Sequence, residues 1–173
     1  MAILNYLPEF PVVEINRSTG LVAGHVIAQT PLAPDFDGID SINGVDFVAN
    51  GFIVGLGAGL ELEAYDADDH AQPFLIFTEE LNTFFDGLKW YATMEDPDEG
   101  AIYPRAIGLY VGDVFTTNNF EGEEGAFAKV VDGALTLQAE ADADTLFAVE
   151  ESTLPTGEEA MRFTYVGQVV QGT

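Results

Sequence analysis

The sequence predicts a mainly β protein: a single-domain antiparallel β-barrel or β-sandwich with at most one short helix and an extended N-terminal arm. Three observations carry this expectation. Strict alternation of apolar and polar residues runs through LELEAY (60–65) and ALTLQAEA (134–141), the period of a strand with one wet face. Short runs rich in Val, Ile, Phe, Tyr and Thr recur along the chain, divided by Gly, Pro, Asp and Asn, as in sandwiches and barrels of many short strands. Helical patterning is confined to TEELNTFFDG (78–87), where Thr78 would cap a turn and Gly87 would end it.

Taken in order, the chain opens with an arm, residues 1–11, carrying Ile3, Leu4, Tyr6, Leu7 and Phe10. A chain terminus is normally polar, so five large apolar side chains there need cover, either from the protein's own core or from a partner. Pro8 and Pro11 disfavour a sheet interior and favour a separate extended segment that docks elsewhere. Residues 12–173 are expected to form one β domain. Strands are expected in PVVEIN, GLVAGHVIAQ, GFIVGL, LELEAY, PFLIFT, KWYATM, RAIGLYVG, FAKVV, ALTLQAEA, TLFAVEE and MRFTYVGQVV. Within the two alternating runs, Leu60 and Leu62, and likewise Leu135 and Leu137, should share a buried face. The longer loops fall at 30–44, 66–73, 95–104, 118–125 and 151–159, each dense in acids, Gly or Pro. The run GDVFTTNNFEGEEG (112–125) reads as a Gly-Asp turn, a short strand and a polar stop, where Thr and Asn hydrogen-bond the local backbone.

A chain of 173 residues with 47% hydrophobic content has the length and composition of one folded domain with a real core. Five basic residues face 30 acidic ones, a formal net charge of -25. Nucleic acid is not expected as a partner, because binding phosphate requires cations that displace counterions, and anionic membrane surfaces are disfavoured for the same reason. The acidity serves solubility or a high-salt habitat as readily as a specific electrostatic role. With no cysteine, there is no disulfide framework, thiolate metal site or cysteine nucleophile. The N-terminus lacks a basic n-region and its apolar stretch is broken by Asn5 and Pro8, so no signal peptide is expected. FVANGFIVGLGAGL (47–60) is too short and too rich in glycine to span a bilayer, and a soluble protein is the expectation.

Catalytic groupings are hard to assemble from these residues. Ser18, Ser41 and Ser152 with His25 and His70 form no GxSxG nucleophile turn. His25 sits in an apolar run and reads as a packed side chain. His70, beside Asp66, Asp68 and Asp69, suggests a metal ligand but reads better as part of an exposed acidic loop. Calcium loops of the EF type fail at both candidates: a start at Asp66 puts Ala71 at the glycine position and Phe77 at the glutamate position, and a start at Asp96 puts Ala101 at the glycine position. An irregular site at Asp96, Asp98 and Glu99 is the remaining calcium alternative. GLGAGL (55–60) leads into an alternating strand, so it lacks the helix N-terminus that a phosphate-binding turn needs. No catalytic residue, cofactor or metal ligand is therefore assigned. Trp90 and Tyr91 are adjacent and point to opposite faces of a strand, which leaves one of them as a candidate contact aromatic.

YPRA (103–106), GLYVGDVFTTNNF (108–120) and the closing RFTYVGQVV (162–170) resemble segments of the decoration, or cement, proteins of tailed-bacteriophage heads. The resemblance covers mainly the C-terminal half. It implies a non-enzymatic structural protein of the virion that binds the outer surface of the capsid and stabilises the head by bridging subunits of the major capsid protein. It also implies a homo-oligomer such as a trimer, with no nucleic-acid or membrane partner. Ile3, Leu4, Tyr6, Leu7, Phe10, Trp90 and Tyr91 are the candidate contacts to capsid or sister subunits. The outer face is favoured because a protein at -25 lining the interior would confront packed DNA of the same sign. The rival from another class is a carbohydrate-binding or carbohydrate-acting β protein, with Trp90 or Tyr91 stacked on sugar beside a pair of acids. A small-molecule-binding barrel is a third.

Overall fold

The computed structural model describes residues 13–17, 26–28, 30–42, 45–77 and 101–167. These residues form strands, turns and loops, with no helix among them, in agreement with the mainly β fold expected. The strands are β1 (Val13–Arg17), β2 (Val26–Ile27), β3 (Ile39–Ile42), β4 (Val45–Val48), β5 (Ile53–Leu56), β6 (Leu62–Ala64), β7 (Phe74–Ile76), β8 (Ala106–Gly108), β9 (Val114–Thr117), β10 (Phe127–Val131), β11 (Ala134–Gln138), β12 (Phe147–Thr153) and β13 (Glu159–Tyr165). A six-stranded sheet runs β1-β9-β13-β12-β10-β11, a five-stranded sheet runs β2-β8-β7-β5-β6, and β3 and β4 pair with each other alone. Every pairing between these strands is antiparallel.

The two sheets share one core. Phe115, Phe147 and Phe163 of the larger sheet lie with ring centroids 5.5 to 6.0 Å apart and pack with Leu135, Leu137 and Met161. Ile53 of β5 and Leu75 of β7 enter the same cluster from the smaller sheet. The neighbouring residues on those strands, Val54 and Ile76, point the other way into a second cluster. There they meet Leu32 and Phe36 from the chain before β3, Val48 of β4 and Leu62 of β6. The smaller sheet is thus buried on both faces, which explains why GFIVGL and PFLIFT are continuous apolar runs while ALTLQ alternates. This is sandwich-like packing, with an extra layer laid over the smaller sheet.

The turn between β10 and β11 links the layers. Asp132 (φ 49°) and Gly133 (φ 82°) make a two-residue connection of left-handed residues, the conformation that Asp-Gly favours in hairpins. The Gly133 carbonyl accepts the N–H of Ile53 at 2.8 Å, and a Cβ on Gly133 would lie 3.0 Å from the Phe36 ring.

Several expectations are corrected. Residues 30–44 are not one loop, since β3 lies within them and pairs with β4 from Ile39↔Val48 to Ile42↔Val45. Asn43 and Gly44 separate the last pair, and Asn-Gly is the strongest short hairpin signal. Leu60 does not share a face with Leu62: it is 70% exposed at φ 62°, whereas Leu62 is wholly buried. Gly57 accepts the Leu60 N–H and donates to the Glu61 carbonyl, so these residues form a turn and β6 begins only at Leu62. The expected loop at 151–159 shrinks, because β12 extends to Thr153 and β13 begins at Glu159. The arm at 1–11, the helix expected in 78–87, KWYATM, His25 and the acids Asp96, Asp98 and Glu99 lie outside the described residues.

Candidate functional site

The end of the molecule at the β5–β6 turn combines a strained backbone, exposed apolar side chains and a dense set of carboxylates. β5 ends at Leu56, which is 41% exposed, and Gly57, Ala58 and Gly59 carry the chain around to Leu60. A leucine with positive φ is uncommon, because its Cβ crowds the backbone in the left-handed region. The two residues after the turn set its environment. Glu61 and Glu63 line a groove of about 520 Å³ together with Asp35, Asp37 and Asp132. Glu63 folds its carboxylate back over Gly57, where a Cβ would collide with it.

Ala64 and Asp132 also belong to a second groove, of about 630 Å³, so the two adjoin. Its walls carry Tyr65, Asp66, Asp68, Lys129 and Asp144. Lys129 Nζ stands 3.9 Å from Asp142 Oδ2. Although desolvation acts the other way, hydrogen bonds from the Gln138 amide, the Thr145 hydroxyl and the Asp144 N–H, with the Lys129 charge, hold the Asp142 carboxyl below its ordinary range. Tyr65 is buried, and desolvation first, then the proximity of Tyr165 and Asp66, pushes its phenol up to about 12. It therefore stays a neutral hydroxyl under ordinary conditions.

His70 is not the exposed loop residue that its acidic neighbours suggest. It is 9% exposed, with its ring packed over β5 where a Cβ on Gly55 would come within 2.2 Å of it. In the tautomer that accepts at Nδ1, it takes the Asp66 N–H at 3.0 Å, which leaves the imidazole proton on Nε2, 3.8 Å from Glu63. Asp66 Oδ1 accepts the Asp68 N–H at 2.8 Å, closing the loop on itself. GLGAGL thereby acquires a structural reason: Gly55 makes room for the histidine and Gly57 for Glu63. Among the described residues, no three His, Cys, Asp or Glu side chains come together as ligands for a metal ion.

The segment GDVFTTNNF supplies braces between elements. Asp113 is buried and its carboxylate accepts the Tyr110 N–H at 2.9 Å, holding the turn before β9. The Thr116 hydroxyl donates to Asn16 of β1 at 2.7 Å. Thr117 Oγ1 accepts the Asn119 N–H at 3.0 Å, and the Asn119 amide donates to the Asn50 carbonyl at 2.7 Å. The polar run is thus a local stop, as its composition suggests, and also a tie to β1 and to the chain before β5.

The contacts assigned from sequence, Ile3, Leu4, Tyr6, Leu7, Phe10, Trp90 and Tyr91, all lie outside the described residues. Sequence reasoning missed the exposed pair Leu56 and Leu60. The signal was present just before the alternation, since glycines at 57 and 59 lead into LELEAY and fit a turn that continues through Leu60. No protein-family model, curated protein or solved structure matches this chain.

Proposed function

We propose that this protein is a non-enzymatic structural component of a phage head, binding the outer capsid surface and stabilising the shell by bridging subunits of the major capsid protein. The observation that carries the reading is where the resembling segments fall. GLYVGDVFTTNNF supplies β9, RFTYVGQVV supplies most of β13, and the two pair from Arg162↔Thr116 to Thr164↔Val114. Below that ladder the Gly112 N–H donates to the Tyr165 carbonyl and the Tyr165 N–H to the Asp113 carbonyl. Two segments distant in sequence are thus paired inside the larger sheet, while YPRA and the start of GLYVGDVFTTNNF reach β8 of the smaller one, and a scaffold shared with such proteins would join its segments in this way. Adhesion by such a domain rests on apolar side chains and strand edges set against neighbouring subunits. The test is co-sedimentation of the purified protein with phage heads that lack their outer decoration. Saturable binding that raises the heads' melting temperature is expected. Absence of binding overturns the reading.

A second reading, a carbohydrate-binding protein, is favoured by the groove whose lining combines Tyr65 with Asp66, Asp68, Asp144 and Lys129. A glycan-array signal that disappears in Asp144→Asn would favour it, and a blank array removes it.

A further inference from the structure

We infer that the β5–β6 turn is a docking tip whose Leu60, supported by Leu56, enters an apolar socket edged by Lys and Arg on a partner protein. The inference rests on the capsid reading and names the contact by which the described domain would engage the shell.

The starting point is a conflict within the molecule. Leu60 occupies the left-handed region, φ 62°, where glycine or asparagine would sit without strain. Strain of this kind persists where something repays it, and in a folded domain the usual repayment is packing. Leu60 is 70% exposed, so its side chain contributes little to the domain's own core. The contrast with Asp132 is direct: that residue also has positive φ, but aspartate is suited to the region and lies in an Asp-Gly hairpin turn. A leucine held in an unfavourable conformation at the apex of a glycine-flanked turn has its use outside the chain.

Charge identifies the partner. Glu61 and Glu63 follow the tip directly and line the groove with Asp35, Asp37 and Asp132, with no basic side chain in its wall. Closure over this surface by a neutral or acidic partner would bury uncompensated carboxylates, which is costly. A second copy of this chain is a poor occupant, since it carries the same net charge of -25 and five basic residues in all. A heterologous surface with an apolar hollow and a basic rim satisfies both halves of the site. The arrangement has the form of an interface anchor, one buried apolar residue ringed by polar contacts.

The test uses the full chain and undecorated heads, with Leu60→Asn as the first variant and Leu60→Gly as the second. Both relieve the backbone and remove the apolar side chain. Each should melt at or above the wild-type temperature while binding heads on the order of tenfold more weakly. Val111→Asn, which removes an apolar side chain 72% exposed at the turn before β9, should bind as wild type does. Raising sodium chloride from about 0.05 M to about 0.5 M should weaken wild-type binding, as a basic rim requires. Undiminished binding by both Leu60 variants overturns the tip, and so does a fall in melting temperature that accounts for the lost binding. Salt-insensitive wild-type binding overturns the basic rim. If the wild-type protein does not bind heads at all, the capsid reading fails and the tip's partner falls with it.

Discussion

Gly55 and His70 are a matched pair: the imidazole occupies the volume that any Cβ at position 55 would claim. Gly55→Ala should therefore destabilise the domain by about 1–3 kcal/mol in chemical denaturation, because a buried ring must shift to admit the methyl group. In a His70→Ala background the same substitution should cost much less, and a double-mutant cycle reads the coupling directly. Equal costs in the two backgrounds would show that the ring is not the obstacle. Tyr65 provides a second test at this scale. Its phenol is raised from 10.0 to about 12, so the folded state keeps a proton that the unfolded state releases first. Its contribution is whole below pH 10 and disappears as pH climbs towards about 12. Denaturation midpoints should fall across that window, and more shallowly in Tyr65→Phe. An identical slope in the variant would assign the alkaline loss to other groups.

Among the elements, the hairpins separate backbone cost from packing cost. Gly133 joins β10 to β11 at φ 82° and sits against Phe36, whereas Gly157 joins β12 to β13 at φ 90° with open space around it. Gly157→Ala should cost about 1 kcal/mol, the strain of a left-handed alanine. Gly133→Ala should cost that and about 1 kcal/mol more, since the β10–β11 turn also receives the Ile53 N–H and carries the contact between layers. Equal losses in thermal unfolding would mean that the Phe36 ring yields freely. The same elements show how far patterning can be trusted. Alternation located β11 and its buried pair Leu135 and Leu137, but an equally regular LELEAY concealed a turn, because spacing alone cannot distinguish a pleated strand from a reversal.

Across the whole molecule, electrostatic repulsion outweighs attraction. Lys129 with Asp142 and Arg162 with Glu150 stand 3.9 Å apart and neither pair is deeply buried, and five basic residues cannot neutralise 30 acids, so carboxylates repel one another across the surface. Melting temperature should rise with added sodium chloride, which screens charges beyond about 10 Å at 0.1 M. A flat curve would mean that the carboxylates are already compensated. The apolar arm is the other property at this scale. Deletion of residues 1–10 should leave the melting temperature nearly unchanged and reduce binding to undecorated heads. If the arm instead closes the core, the deletion costs several kcal/mol, at about 1.5–3 kcal/mol for each fully buried side chain.

The sequence by itself determined the fold class and the positions of most strands, because these depend on local properties: the two-residue period of a strand, the branching of its side chains and the glycines and prolines that divide them. It also announced the acidity, which follows from composition alone. What only the tertiary structure decided is which faces meet. Ile53 and Val54 are both wholly buried on one strand because a second layer, Phe36 and Val48 among it, covers the far side of the smaller sheet. His70 lies under cover because Gly55, fifteen residues earlier, leaves it room, and Leu60 is exposed because the turn lifts it away from both cores. Burial is a relation between segments distant along the chain, and no periodicity within one segment encodes it.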